Sequence, residues 1–297
     1  MSLHIEGMGW IGSALALQLA AHGIEFTWND NDSPVTAWKA TNGVVMPDVK
    51  PRYVQNKRAW DVWARSGIFP KGTVTPAVFA FFSKKPPQYA KYKPVELWPG
   101  VKCTPPSETT YIVDVPAIVS STRERFAGRR RDSAPEGSTI AVAHGFSSRT
   151  VRLEWGWTAP ARLTLPPEAQ DALDRVGGLQ LYGRPQRSVV AYATSVPSKP
   201  GRFLIGTSRI HTPRRHPDTA LRHLGQRIEQ LQTHFPGVIV EEVGAPVEGW
   251  RPYGADPDDL TPLKAGRRII VPPAHHSGVR AAPEIIGGML KALKVTT

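Results

Sequence analysis

The first thirty residues show a pattern of apolar and polar positions that predicts a strand, a helix and a second strand. Leu3 to Glu6 is short and mostly apolar, and Ser13 to Gly23 is an apolar run that suits a helix buried against a sheet. The glycine that ends this run lies where a C-cap is expected. Ile24 to Asp30 predicts the second strand. The pattern favours a β-α-β unit, although His4 is unusually polar for a central parallel strand.

The rest of the chain changes character in two places. Prolines recur between Asp48 and Cys103 and rule out long helices there, except around Gln55 to Ser66. Thr150 to Val247 is rich in short strands and contains one strongly amphipathic helix, Asp218 to Phe235. The other predicted elements are the strands Thr73 to Phe82, Tyr111 to Val115, Ser138 to Ala143, Gly178 to Tyr182, Ser188 to Ser195, Arg202 to Thr207 and Arg268 to Val271, and the helices Pro116 to Arg125 and Pro283 to Leu293.

The turn between the first strand and the first helix carries the spacing of a dinucleotide-binding motif. Gly7 permits the tight bend, Gly9 lets backbone N–H groups approach a pyrophosphate, and Gly12 lets the helix pack closely on the strand. The helix N-terminus adds partial positive charge. Asp30 follows Gly7 by 23 residues, where an acid that hydrogen-bonds a ribose hydroxyl is expected, and Asp32 is a second candidate. The alternative is an ordinary β-α-β turn without a ligand.

Composition sets further bounds. The chain has 297 residues, of which 40% are hydrophobic, and can bury a substantial core. Its single cysteine, Cys103, excludes a disulfide within the chain and favours a reducing compartment, so we expect a cytoplasmic protein and a structural thiol. No segment approaches the roughly 20 apolar residues of a membrane span. We predict no metal site, and oligomeric state stays open.

The chain is strongly basic, with a formal net charge of +12 and a pI near 10. Such a charge attracts polyanions, but many basic proteins bind no nucleic acid specifically. Two basic segments are candidates for phosphate contacts or, alternatively, solvated loops. They are Arg129 to Arg131, and the lysines Lys84, Lys85, Lys91 and Lys93 interleaved with Tyr89, Tyr92 and Trp98.

Several stretches together resemble the D-amino-acid oxidase, glycine oxidase and sarcosine oxidase superfamily of FAD enzymes. The glycine turn with Asp30 is similar to the superfamily's FAD diphosphate and ribose site, and Thr41-Asn42-Gly43 to its small-residue segment beside the flavin. Ser138 to Ser148, Gly249-Trp250-Arg251-Pro252 and His275 to Pro283 resemble three later motifs. The resemblance implies an α/β fold. The implied fold has a Rossmann-like FAD-binding domain (residues 1–47, 108–150 and 248–297) and a smaller β-rich (α+β) substrate domain (48–107 and 151–247).

The resemblance also implies roles for individual residues. Arg251 would bind a substrate carboxylate, which suits the fork of its guanidinium. His275 and His276 would lie near the flavin as weaker candidates for catalysis. His144, Arg280 and the segment Pro272 to His276 depart from the superfamily's pattern and suggest a more open and basic pocket. The implied cofactor-binding residues are Gly7, Gly9, Trp10, Ile11, Gly12, Asp30, Asn31, Thr41, Asn42, Gly43, Val44, His144, Gly145, His275, His276, Ser277, Gly278 and Val279.

The implied activity is FAD-dependent oxidation of an amine, in which the protein orients the substrate and the cofactor performs the redox chemistry. One relative in the superfamily removes a carboxymethyl group from an aminomethyl uridine in tRNA. Combined with the basic charge, this suggests oxidative C–N cleavage of a glycine-like adduct on a modified pyrimidine of DNA or tRNA, extruded from any duplex. The alternatives are an oxidase of a free small amino acid or secondary amine, and a nucleic-acid-binding flavoprotein without catalysis.

Overall fold

A computed structural model describes most of the chain. The described residues are 2–33, 36–45, 51–82, 94–103, 110–144, 150, 152–186, 189–210, 217–253, 259–273 and 279–295.

Helices and strands alternate in the outer thirds of the chain, and strands dominate the middle. The helices are α1 (Trp10–Ala21), α2 (Pro51–Arg65), α3 (Val115–Arg125), α4 (Pro167–Val176), α5 (Pro217–His234) and α6 (Ala282–Ala292). The strands are β1 (Leu3–Glu6), β2 (Thr27–Asn29), β3 (Val44–Val45), β4 (Val74–Phe82), β5 (Val95–Trp98), β6 (Val101–Cys103), β7 (Thr110–Val113), β8 (Thr139–Val142), β9 (Arg152–Thr164), β10 (Leu179–Gln186), β11 (Val189–Ser195), β12 (Arg202–Ile210), β13 (Ile239–Val243), β14 (Val247–Tyr253), β15 (Leu263–Ala265) and β16 (Arg268–Ile270).

The first sheet has the strand order β15-β16-β8-β1-β2. Its three parallel pairings join β2, β1, β8 and β16, and β15 pairs antiparallel with β16. Helix α1 is apolar on nearly every side because it is enclosed by this sheet, α3 and α6. The polar residues of β1 have partners: His4 Nδ1 lies 2.8 Å from Thr27 Oγ1, and Glu6 is paired with Arg268.

The second sheet is larger and mostly antiparallel. Its main path is β13-β9-β12-β11-β10-β4-β6-β5, with β14 paired to β9. One face buries alternate residues such as Trp157, Ala193 and Ile205 against α4 and α5. The opposite face of β9, β11, β12 and β14 carries Glu154, Gly156, Tyr192, Gly206 and Arg251, because directly paired residues share a face.

Most elements predicted from the pattern are confirmed. Helices α3, α5 and α6 begin and end within one or two residues of their predicted bounds, and β4 runs through Pro76, which pairs with Tyr111, without the interruption that a proline predicts. The predicted second strand is shorter, since only Thr27–Asn29 pairs. The predicted elements do not include the helix α4 or the strands β3, β5, β6, β9, β13, β14 and β15, of which the 13-residue β9 is the longest. The two-domain division stays a prediction; α2 packs into the core of the first sheet, and β14 pairs within the second sheet.

Candidate functional site

The turn after β1 is built so closely that it requires glycine. Gly7 has φ +95°, and a Cβ there would lie 2.5 Å from the Cα and N of His144 at the end of β8. A Cβ on Gly12 would lie 1.9 Å from the carbonyl oxygen of Gly7. The start of α1 can therefore approach the strand only because both positions lack a side chain.

Helix α1 begins directly after this turn, and no side chain caps its N-terminus with a hydrogen bond. Gly9 is the N-cap residue in extended conformation, and no acidic residue occupies the first turn. The side chains of Trp10 and Ile11 pack into the first core, where the Trp10 ring stacks with Trp60 and Phe69. Only the backbone of these two residues faces the turn region. This arrangement fits a diphosphate, because backbone N–H groups and the helix dipole favour an anion there.

The acidic residues after β2 are held by hydrogen bonds and ion pairs. Asp30 Oδ2 accepts a hydrogen bond from the Met8 amide at 2.5 Å and lies 2.8 Å from Arg123 Nη2. Asp30 Oδ1 accepts from the Asp32 amide at 2.7 Å. Asp32, with φ +52°, pairs with Arg123 and Arg130, and the hydrogen bond from Arg130 is the main cause that lowers its pKa. Asn31 is exposed, and its side chain accepts from the Ser33 amide.

The segment predicted to lie beside a flavin ring connects the two sheets. Gly43 has φ +63° and lies so close to β7 that a Cβ would be 1.8 Å from the Val113 oxygen. Thr41 Oγ1 accepts from the Gly43 amide, and Val44 lies in β3. Asn42 is half-buried.

The chain just before this segment is anchored to β14 next to Arg251. A single β-bridge joins Thr36 to Trp250. A Cβ on Gly249 would lie 2.6 Å from the Thr36 oxygen, so the glycine permits this approach. The expected flavin-side segment and the expected substrate arginine are therefore brought together by backbone contacts.

The guanidinium of Arg251 lies beside Gly156, on a face of the second sheet that also carries Gly206. Its Nη2 and Cζ atoms are 3.4 and 3.5 Å from the position that a Cβ on Gly156 would take. From the other side, the Tyr192 hydroxyl lies 2.8 Å from the corresponding position on Gly206. Burial raises the pKa of Tyr192, and the nearby guanidinium of Arg251 only partly opposes this. A guanidinium and a protonated phenol thus converge on one face of the sheet.

The remaining predicted residues divide into two groups. His144 is exposed at the end of β8, and Val279 is half-buried and packs against the first core. Gly145, His275, His276, Ser277 and Gly278 lie outside the described residues, so the roles predicted for the two histidines stay predictions.

Comparison with known proteins finds similar structures but no similar sequences. No protein-family profile matches the sequence, and no curated protein sequence matches it either. Among solved structures, glycine oxidase from Bacillus cereus matches with a TM-score of 0.69 and 14% identity over 98% of this chain and 94% of that one. Iminodiacetate oxidase from Chelativorans matches with a TM-score of 0.66 and 15% identity over 97% and 95%. Fructosamine oxidase from Aspergillus fumigatus matches with 0.62 and 13% identity over 99% and 86%.

The chain has the glycine oxidase fold. The predicted α/β class and the predicted resemblance are thereby confirmed at the level of fold. Within this fold, the sequence did not point to Tyr192 or Arg123 as site residues. Tyr192 becomes visible only when β11, β12 and β9 are aligned, and Arg123 is separated from its partner Met8 by 115 positions.

The described basic and aromatic residues lend no support to a nucleic-acid surface on this glycine oxidase fold. Trp98 is buried and donates a hydrogen bond to the Pro236 oxygen, so its ring is not a stacking platform. Arg129 pairs with Glu25, and Arg130 pairs with Asp32. The four lysines and two tyrosines of the other segment lie outside the described residues. No helix in the described part of the chain has both the length and the hydropathy to cross a membrane.

Proposed function

We propose that the protein binds FAD at the glycine turn and oxidises a free small amino acid or secondary amine that carries a carboxylate. One observation carries this proposal: Arg251 and Tyr192 converge over Gly156 and Gly206, and Thr36, five residues before the segment expected beside the flavin, is bridged to the strand of Arg251. The similarity in fold to glycine oxidase and iminodiacetate oxidase supports it.

Each residue has a defined task in this proposal. The guanidinium of Arg251 binds the substrate carboxylate through two parallel hydrogen bonds, which fixes the orientation of the amine. Tyr192 donates a third hydrogen bond, since its raised pKa keeps the hydroxyl protonated at neutral pH. Bound FAD would supply the two-electron oxidation of the amine to an imine, which water then hydrolyses. The glycine turn and the start of α1 hold the diphosphate.

The carboxylate is the part of the substrate that these residues select. Glu154 faces Arg251 across β9 and β14 and is buried on the same face, so a negative charge lies beside the positive one. A zwitterion such as glycine or an N-alkyl glycine presents a carboxylate for Arg251 and an ammonium for Glu154. The face therefore suits an α-amino acid better than a simple amine.

A glycine-like adduct on a modified pyrimidine, the main substrate predicted from the sequence, has less support. It depends on the net charge of +12 and on an N-substituted glycine being a sarcosine analogue. A small free amine requires neither a phosphate-binding surface nor the extrusion of a base. We therefore place the small amine first.

A substrate panel separates the two. The purified protein is loaded with FAD and mixed with glycine, sarcosine, iminodiacetate or a carboxymethylaminomethyl uridine in tRNA, and peroxide and imine-derived carbonyl products are measured. Turnover of a free amine, with at least tenfold lower kcat/KM in Arg251→Met and no change in the surface variant Arg162→Met, supports the proposal. Turnover of the tRNA alone overturns the choice of substrate, and failure to bind FAD overturns the proposal as a whole.

A further inference from the structure

We propose that Arg123 is the residue that holds the adenosine diphosphate half of the cofactor, and that Asp30 acts mainly as its anchor. The inference rests on the proposed binding of FAD and assigns a specific residue to it. It differs from the role expected for Asp30, which was direct hydrogen bonding to a ribose hydroxyl.

Arg123 lies near the end of α3 and reaches back to the glycine turn with all three of its nitrogens. Nε donates to the Met8 carbonyl at 2.9 Å, Nη2 lies 2.8 Å from Asp30 Oδ2, and Nη1 lies 2.8 Å from Asp32 Oδ1. The side chain is 22% exposed, so the guanidinium is fixed but still accessible. Such a three-point attachment orients the group far more strictly than a single surface ion pair does.

Asp30 has little capacity left for a ribose. Its side chain is 8% exposed, and its two oxygens already interact with the Met8 amide, Arg123 and the Asp32 amide. A carboxylate has about four acceptor positions, so three of them are used. A ribose hydroxyl that took the place of Arg123 on Asp30 would remove one of the three contacts that orient the guanidinium.

The guanidinium is close to where the diphosphate is expected. The Trp38 ring lies over Gly9, 3.1 Å from the position that a Cβ would take, and the Arg123 guanidinium lies over the same ring at 5.5 Å. Lys39 contacts this ring as well, at 5.4 Å. Arg123 uses three of its five N–H groups on Met8, Asp30 and Asp32, so two N–H groups remain to donate to an anion at Gly9, beside the partial positive charge of the α1 N-terminus.

FAD affinity of variants tests the inference. We expect Arg123→Met to weaken FAD binding about 10- to 100-fold, the effect of losing a charged hydrogen-bond donor. Arg123→Lys should recover most of this loss, because a phosphate needs the cation, whereas a purely structural bridge needs the guanidinium fork. Arg125→Met removes the same charge from the same helix, where the guanidinium lies over Phe126, and should bind FAD within about twofold of wild type.

A double-mutant cycle separates the roles of Arg123 and Asp30. If Asp30 acts through Arg123, adding Asp30→Asn to Arg123→Met weakens FAD binding by less than about twofold further. Affinity for ADP, measured by competition, should fall in parallel with FAD. The inference alone would be overturned if the fold-losses in FAD affinity of the two single variants multiplied in the double variant. It would also be overturned if Arg123→Lys bound FAD no better than Arg123→Met, or if Arg123→Met kept the wild-type FAD affinity. A wild-type chain that binds no FAD would overturn the proposed function along with it.

Discussion

The guanidinium of Arg251 packs against the bare Cα of Gly156, its diagonal neighbour across β14 and β9. Gly156 is paired with Gly249, and this second glycine lets Thr36 approach and form an isolated bridge with β14. Gly156 thus leaves room for the guanidinium of Arg251, the proposed carboxylate-binding group. Gly249 leaves room for Thr36, just before the segment expected beside the flavin. Substitutions at these positions test geometry without removing any functional group.

Replacing Gly156 by alanine should disturb substrate binding more than folding. The added Cβ would lie 3.4 Å from Arg251 Nη2, at the short end of van der Waals contact, and would restrict the positions open to the guanidinium. We expect KM for a carboxylated amine to rise several-fold with a smaller change in kcat, since orientation depends on this contact. The control is Gly225→Ala in α5, where nothing lies within 4 Å. Equal KM values in the two variants would contradict the placement of Arg251.

Removing the guanidinium of Arg251 should impair substrate oxidation much more than the alanine at position 156 does. Arg251→Met is expected to lower kcat/KM for an amino acid roughly 100-fold, because a charge-assisted pair of hydrogen bonds to the carboxylate is lost. Tyr192→Phe should lower it by a smaller factor, about tenfold. Steady-state kinetics check both values. An amine without a carboxylate should be affected by neither substitution.

Gly12→Ala should abolish the cofactor site and weaken the fold. Its Cβ would lie 1.9 Å from the Gly7 oxygen, and this backbone atom cannot move without opening the turn. We expect a loss of about 1–3 kcal/mol in the free energy of unfolding, as for other overpacked sites, together with loss of FAD binding. Thermal unfolding and flavin fluorescence measure the two effects. A variant that retained both would show that the turn is looser than described.

His4 should make the stability of the protein fall on acidification. Burial lowers its pKa from the usual 6.5, so between the lowered value and 6.5 the unfolded chain binds more protons than the folded one. The contribution of His4 is therefore fully present above about pH 6.5 and is lost as the pH falls below it, by about 1.4 kcal/mol for each unit of pKa difference.

Two histidine variants measure this contribution. His4→Gln should reduce the slope of unfolding free energy against pH between 5 and 6.5. The slope should not vanish, because burial also lowers the pKa values of His223 and His234. His22→Gln changes an exposed residue and should retain the wild-type slope. An identical slope in both variants would exclude His4 as a source.

The sequence predicts features that depend on neighbouring residues and misses those that depend on pairing across the chain. The glycine turn, α1 and the amphipathic helix α5 follow from local spacing, and they are found. Helix α4 was missed although Ala169, Ala172, Leu173 and Val176 recur at helical spacing, because it is a short helix inside a stretch that otherwise predicts strands. Tyr192 and Arg123 could not be identified because their roles come from strand alignment and from a contact 115 positions apart.

The most direct test of the account is an anaerobic titration of the FAD-loaded protein with sarcosine, followed by the visible absorbance of the flavin. The account predicts that the absorbance bleaches in wild type at saturable substrate concentration and that Arg251→Met needs roughly 100-fold more substrate. A protein that binds FAD but whose flavin stays oxidised with glycine, sarcosine and iminodiacetate alike would contradict it.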